Sequence, residues 1–110
     1  MKIKPVRGTH DLFGKELKKF NYIIEQVKDT AKKFGFDEMI TPIFENSELF
    51  KKPLGEQSDV VLKEMYTFTD RNEDELTLRP EYTTPMIRAA ISNGLLNNLP
   101  VKFFGTGQMF

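Results

Sequence analysis

No cysteine occurs in the chain, and histidine appears once, as His10. The first absence excludes a disulfide framework, a thiolate-bound zinc and a thiol nucleophile within these residues. The second leaves too few imidazoles for a metal centre, and none is expected. Net charge is missing as well: 16 Lys and Arg balance 16 Asp and Glu, so no global field favours nucleic acid or a membrane surface. No apolar run is long enough to span a bilayer, and no charged–apolar–small leader is present, so the chain reads as soluble and cytoplasmic. No repeat, low-complexity tract or linker interrupts it. At 110 residues it has the length for one core but not two, and residues 1–110 read as one continuous piece of one domain. What is abundant is phenylalanine, with 10 residues, which points to a substantial core or to an interface.

The element order is mixed. Ile3 and Val6 suggest a short strand-like lead followed by a polar loop. Leu17, Phe20, Ile24, Val27, Ala31 and Phe34 then alternate three- and four-residue steps, which places one apolar stripe on a helix. Asp29 and Lys33 have favourable i,i+4 spacing, and Gly35 is a natural stop. Residues 38–44 read as a strand broken by Pro42, which assigns that point to an edge or an interface. A helical turn is expected over 46–51, and another helix beginning over 58–64. Residues 65–69 and 76–78 flank the polar run 70–74 and read as an antiparallel hairpin. Residues 101–104 form an apolar strand, and Gln108, Met109 and Phe110 resemble the opening of the next. We read that apolar ending as a cut inside a domain, with a docked terminal strand as the alternative.

The run Leu76-Thr77-Leu78-Arg79-Pro80-Glu81-Tyr82-Thr83-Thr84-Pro85 is the most informative. Thr77 and Leu78 suit a strand, and Pro80 prevents its ladder from continuing. Thr84 is placed to be an N-cap and Pro85 a first helical residue, with Met86, Ile87, Ala89, Ala90 and Ile91 on one apolar side. The helix is expected to fade near Asn93 and Gly94. Glu81 then sits on a rigid corner near a helix N-terminus, which favours its ionised form. Two readings of Glu81 stand side by side. It is a helix-end acid worth roughly 0.3–1 kcal/mol, or a carboxylate that receives an ammonium group, with the Thr83 hydroxyl in the same pocket. Arg79 is expected to pair with Glu81 or with the hairpin's acids.

Other patterns carry less. Gly8-Thr9-His10-Asp11-Leu12-Phe13-Gly14-Lys15 has five residues between its glycines and Glu16 after the lysine, so it is not a phosphate-binding loop. Gly105-Thr106-Gly107 is better explained as a glycine-containing turn than as a dinucleotide fingerprint. His10 reads as a loop histidine with local hydrogen bonds. The lysine pairs at 18–19, 32–33 and 51–52 read as solvated faces.

Five blocks in order carry a family resemblance: Val6-Arg7-Gly8-Thr9-His10-Asp11, Met39-Ile40-Thr41-Pro42-Ile43-Phe44-Glu45, Gly55-Glu56-Gln57-Ser58-Asp59-Val60-Val61, Lys63-Glu64-Met65-Tyr66-Thr67-Phe68 and Leu76-Thr77-Leu78-Arg79-Pro80-Glu81. Together they resemble the N-terminal part of a histidyl-tRNA synthetase, over essentially the whole chain. The resemblance implies an α+β fold: part of a class II synthetase catalytic domain, an antiparallel sheet flanked by helices, from motif 1 to the start of motif 2.

The helix over 15–34 and the strand through Pro42 resemble motif 1, which implies a homodimer interface that includes Pro42. Glu81 and Thr83 match the positions that hold the α-amino group of histidine. Residues 103–110 resemble the opening strand of motif 2. The motif 2 arginine that grips the ATP α-phosphate would follow Phe110, so no catalytic residue and no metal ligand is expected within this chain. The complete enzyme implied would use ATP with Mg2+ to activate histidine and would charge tRNA(His). The 110-residue chain alone is expected to be inactive and to hold neither ATP nor Mg2+ stably. Tyr82 departs from the glycine often found between the Glu and Thr. Thr84-Pro85 also resembles the synthetase-like, histidine-sensing regulatory subunit of ATP phosphoribosyltransferase, which is one alternative. A dimerisation module without ligand is the other.

Overall fold

The computed structural model describes residues 1–54 and 64–110, which fall into two compact units, Met1–Gly35 and Phe36–Phe110. The helix start expected over 58–64 lies almost wholly outside the described residues.

In the first unit the expected lead strand does not form. Residues 6–9 turn instead: the Thr9 N–H donates to the Val6 carbonyl at 2.9 Å and its hydroxyl to the same oxygen at 2.5 Å. His10 is exposed and makes no hydrogen bond among the described residues, so the local bonds expected of it are absent. Helix α1 spans Gly14–Lys33, and no residue of it is buried, its apolar stripe included. Glu16 in its first turn and Lys32 and Lys33 in its last complement the helix dipole. Among the described residues Asp29 and Lys33 form no ion pair, and Glu16–Lys19 at 3.9 Å is a weak exposed one. Gly35 stops the helix as expected. It takes φ +81°, a left-handed conformation that costs a glycine little, and its N–H reaches the Lys32 carbonyl at 3.0 Å.

The second unit is built on two small sheets. Strands β1 (Asp37–Glu38) and β5 (Phe103–Phe104) pair in parallel, with Asp37 opposite Phe103. Strands β2 (Phe44–Asn46), β3 (Thr67–Thr69) and β4 (Glu75–Leu78) form an antiparallel sheet in the order β2-β4-β3. The single strand expected over 38–44 is therefore two strands in different sheets. Pro42 lies between them, where its missing N–H removes a ladder bond and the chain passes from one sheet to the other.

The hairpin forms as expected. Asp70 closes its turn by accepting the N–H groups of Asn72 at 2.8 Å and Asp74 at 3.0 Å. Thr67 and Thr77 pair across the strands with their hydroxyls 3.0 Å apart. Phe44 and Phe68 meet edge to face at 6.1 Å.

Helices α2 (Glu48–Leu54) and α3 (Thr83–Ser92) complete the unit. Buried Ser47 starts α2: its carbonyl accepts from Phe50 and Lys51 at 3.1 Å. Its hydroxyl donates to Glu75 at 2.8 Å, and Lys51 pairs with the same carboxylate oxygen. These two hydrogen bonds, and the nearby ammonium charge, hold Glu75 below the usual carboxylate range. One lysine of the 51–52 pair is thus a fold contact and not a solvated face. Phe50, Thr77 and Pro85 are fully enclosed, with Ala89 and Ala90 beside them. Of the 10 phenylalanines only Phe50 is buried, so phenylalanine abundance does not build a large core here.

Candidate functional site

Strand β4 delivers the corner. Beyond Leu78 the ladder persists for one residue on both sides: the Arg79 N–H donates to Ile43 at 2.8 Å, and the Arg79 carbonyl accepts from Phe110 at 3.0 Å. Pro80 has no N–H and ends it. Helix α3 then begins at Thr83, not after Thr84 as expected. Pro85 is its third residue and removes one of the first-turn donors that would otherwise lack a partner. The cap is supplied from outside the helix. Glu81 accepts the Thr84 N–H at both carboxylate oxygens, 3.2 and 3.1 Å away. Both the carboxylate's charge and its hydrogen bond suit the positive end of the helix.

Arg79 is the buried centre of the corner, 4% exposed. Its expected carboxylate partners are not the ones it takes. Nε donates to the Gln108 carbonyl at 2.9 Å, and Nη1 donates to the Thr41 carbonyl at 3.1 Å. Nη1 also lies 3.5 Å from the Pro42 carbonyl, a marginal contact. A buried cation avoids the cost of desolvation only when its donors are used, and backbone carbonyls use them here.

Tyr82 lies beside this cation, its ring centroid 4.5 Å from the guanidinium carbon. The Tyr82 hydroxyl donates to the Met39 carbonyl and accepts from the Thr41 N–H, both at 3.3 Å. Gly105 and Gly107 run against the same group. A Cβ on Gly105 would stand 2.8 Å from the Met39 oxygen and 3.0 Å from the tyrosine ring, and one on Gly107 would stand 2.5 Å from Arg79 Nη2. The Gly-Thr-Gly run is therefore glycine because the backbone passes close to side chains, not because it turns.

Of the residues singled out from sequence, Glu81 and Thr83 are adjacent at the helix start: Glu81 is half-buried, Thr83 exposed. The Thr83 hydroxyl has no hydrogen-bond partner among the described residues. Pro42 is exposed, in the segment that Arg79 gathers. Arg79 and Tyr82 organise the corner, and their signal in the sequence was the pair of glycines needing space. Away from the corner, Arg88 of α3 pairs with Glu45 of β2 at 2.7 Å, while its buried Nε finds no partner among the described residues. A groove of about 420 Å³ lies alongside, lined by Leu49, Pro53, Ile87 and Ile91.

This corner sits within a sequence that a family profile for histidyl-tRNA synthetase matches over residues 8–110. The chain belongs to the histidyl-tRNA synthetase family. It is 54% identical over 108 residues to the histidine–tRNA ligase of Rhodospirillum rubrum, covering 98% of this chain and 26% of that protein. The chain thus spans about a quarter of the length of the curated relatives it matches. In structure it is similar to apo histidyl-tRNA synthetase from Staphylococcus aureus, with a TM-score of 0.83 and 35% identity over 99% of this chain and 29% of that one. A Bacillus halodurans protein described as an ATP phosphoribosyltransferase regulatory subunit/histidyl-tRNA synthetase gives 0.81 at 20% identity, covering 100% of this chain and 28% of that one, which shows the fold alone. The expected α+β fold with an antiparallel sheet is the fold of this histidyl-tRNA synthetase family member.

Proposed function

We propose that the chain is the N-terminal part of the catalytic domain of a histidine–tRNA ligase, and that its corner binds the α-amino group of histidine. The carrying observation is the environment of Glu81. Among the described residues its carboxylate meets a single protein donor, the Thr84 N–H, at a rigid helix start, with the unpartnered Thr83 hydroxyl two residues on. A carboxylate has about four acceptor directions, so one N–H leaves capacity for an ammonium group. Glu81 would hold that ammonium by charge and hydrogen bond, and Thr83 would accept a further N–H. Neither residue transfers a proton.

In the complete enzyme the histidine carboxylate would attack the ATP α-phosphate and expel pyrophosphate, and the tRNA 3′ end would then take the histidyl group from the adenylate. The contribution of these residues is positioning: they fix one end of the amino acid so that its carboxylate is aimed. The ATP-gripping arginine would follow Phe110, and the chain alone would not catalyse. Among the described residues no cluster of three or more His, Cys, Asp or Glu suits a metal ion. Magnesium would arrive on the ATP phosphates. We place the protein in the cytoplasm as a homodimer, joined through α1 and the segment at Pro42.

The test is exchange of labelled pyrophosphate into ATP by the full-length protein that carries residues 1–110. Exchange that requires histidine supports the ligase. Histidine binding without exchange would overturn it in favour of a histidine-sensing regulatory subunit, and neither signal would leave a dimerisation module.

A further inference from the structure

We infer that Tyr82 is a positioning residue for the histidine site: its ring and hydroxyl lock the corner that carries Glu81 and Thr83 to the two chain segments beside it. The inference rests on the amino-group role proposed for Glu81 and goes beyond it to a residue that would not touch the ligand.

Three independent contacts converge on this side chain. The hydroxyl is tied to the Met39 carbonyl and the Thr41 N–H, so the ring reaches across to the stretch between β1 and β2. The guanidinium of Arg79 lies over the ring, and Arg79 is itself bonded to Thr41 and Gln108. Gly105 approaches the ring so closely that a Cβ there would lie 3.0 Å from it, while a Cβ on Gly107 would touch a ring carbon at an ordinary 3.4 Å and is excluded by Arg79 Nη2 at 2.5 Å.

Glu81 is flanked in sequence by Pro80, whose φ is fixed by its ring, and by Tyr82, whose side chain is held at its tip, on its face and along its edge. The backbone on both sides of the carboxylate therefore has little freedom. Without the ring the glycine pair would lose the surface it packs on, and Glu81 would keep only its bond to Thr84. A small ligand held by one fixed charge is sensitive to such placement, since losing a hydrogen bond to a charged group costs roughly ten- to 150-fold in affinity.

The experiment compares wild type, Tyr82→Phe and Tyr82→Ala in the full-length protein. Equilibrium dialysis with labelled histidine gives affinity, and pyrophosphate exchange gives KM for histidine and for ATP. Tyr82→Phe keeps the ring and loses only the hydroxyl's two long hydrogen bonds, so histidine affinity should fall about two- to fivefold. Tyr82→Ala should weaken it roughly ten- to fiftyfold, with the ATP KM within about twofold of wild type and kcat less affected. That graded, histidine-selective loss is what a packing role alone would not give. Unchanged histidine affinity in Tyr82→Ala, or equal loss for histidine and ATP, overturns the inference and leaves the ligase reading standing. A wild-type protein that neither binds histidine nor exchanges pyrophosphate overturns the ligase reading, and the role of Tyr82 falls with it. The phenylalanine variant preserves the test should the alanine variant fail to fold.

Discussion

Both carboxylate oxygens of Glu81 lie within reach of one donor, the Thr84 N–H, at 3.2 and 3.1 Å. The same carboxylate is thus a helix cap and a candidate ammonium receptor, and two substitutions separate the roles. Glu81→Gln retains an oxygen for Thr84 and loses the charge. In the full-length protein it should raise the histidine KM roughly ten- to 150-fold, for a lost charge-assisted bond of about 1.5–3 kcal/mol, with melting nearly unchanged. Glu81→Ala should add a stability loss of about 0.5–2 kcal/mol from the missing cap. A glutamine variant with wild-type histidine dependence would remove Glu81 from the site.

Arg79 should be the residue least replaceable by another cation. Its forked guanidinium serves carbonyls on opposite sides, at Thr41 and Gln108. Lysine keeps the charge but has one nitrogen and no plane to lay over Tyr82. Arg79→Lys is expected to lower stability by about 1–3 kcal/mol in urea unfolding, because at least one buried carbonyl loses its donor. Stability within about 0.5 kcal/mol of wild type would contradict the hub described above.

Gly105→Ala tests the close approach. The new methyl group would lie 2.8 Å from the Met39 oxygen, which is backbone and cannot swing aside. Overpacking of this kind costs about 1–3 kcal/mol, visible as a lower midpoint in denaturant. Retained stability would mean that the tyrosine and strand are more separated than their contacts indicate.

Glu75 supplies a pH signature. The Lys51 and Ser47 hydrogen bonds hold its carboxyl below the ordinary value, so the folded state binds its proton less readily than the unfolded chain does. Its stabilising effect is complete above the ordinary value of the unfolded chain and is lost as pH falls through the lower folded value. Glu75→Gln should therefore be less stable than wild type at neutral pH, and the difference should shrink on acidification. Parallel stability curves for the two proteins at every pH would show that the contact contributes nothing in solution.

The parts legible in the sequence are those governed by local spacing. The three-and-four stripe from Leu17 to Phe34 gave α1, and the polar run 70–74 between short apolar stretches gave the hairpin. Glu81 and Thr83 are proposed as ligands on family resemblance and a local helix-start argument. What escaped depends on residues far apart in the chain. Thr84 looked like a cap because hydroxyl residues commonly are caps, whereas the helix starts at Thr83 and the Glu81 side chain, one position outside the Tyr82 N-cap, accepts the Thr84 N–H. Arg79 looked destined for a carboxylate because charge was the visible cue; its carbonyl partners at Thr41 and Gln108 have no side-chain signature. Likewise the break at Pro42 was readable, but not that its two sides would join different sheets.

Arg79 joins residues that are made at different times. Its partners at Thr41 and Pro42 exist before it is translated, while Gln108 and Phe110 come after. At roughly 5–20 residues per second, the stretch from Tyr82 to Gln108 takes about one to five seconds to synthesise. During that interval Glu81, Thr83 and Tyr82 are all present, but the guanidinium lacks its Gln108 acceptor and the ring lacks the glycines it packs on. The corner consequently closes only after its own residues are made, and a nascent chain would gain its ligand-shaped form when the segment through Gln108 arrives.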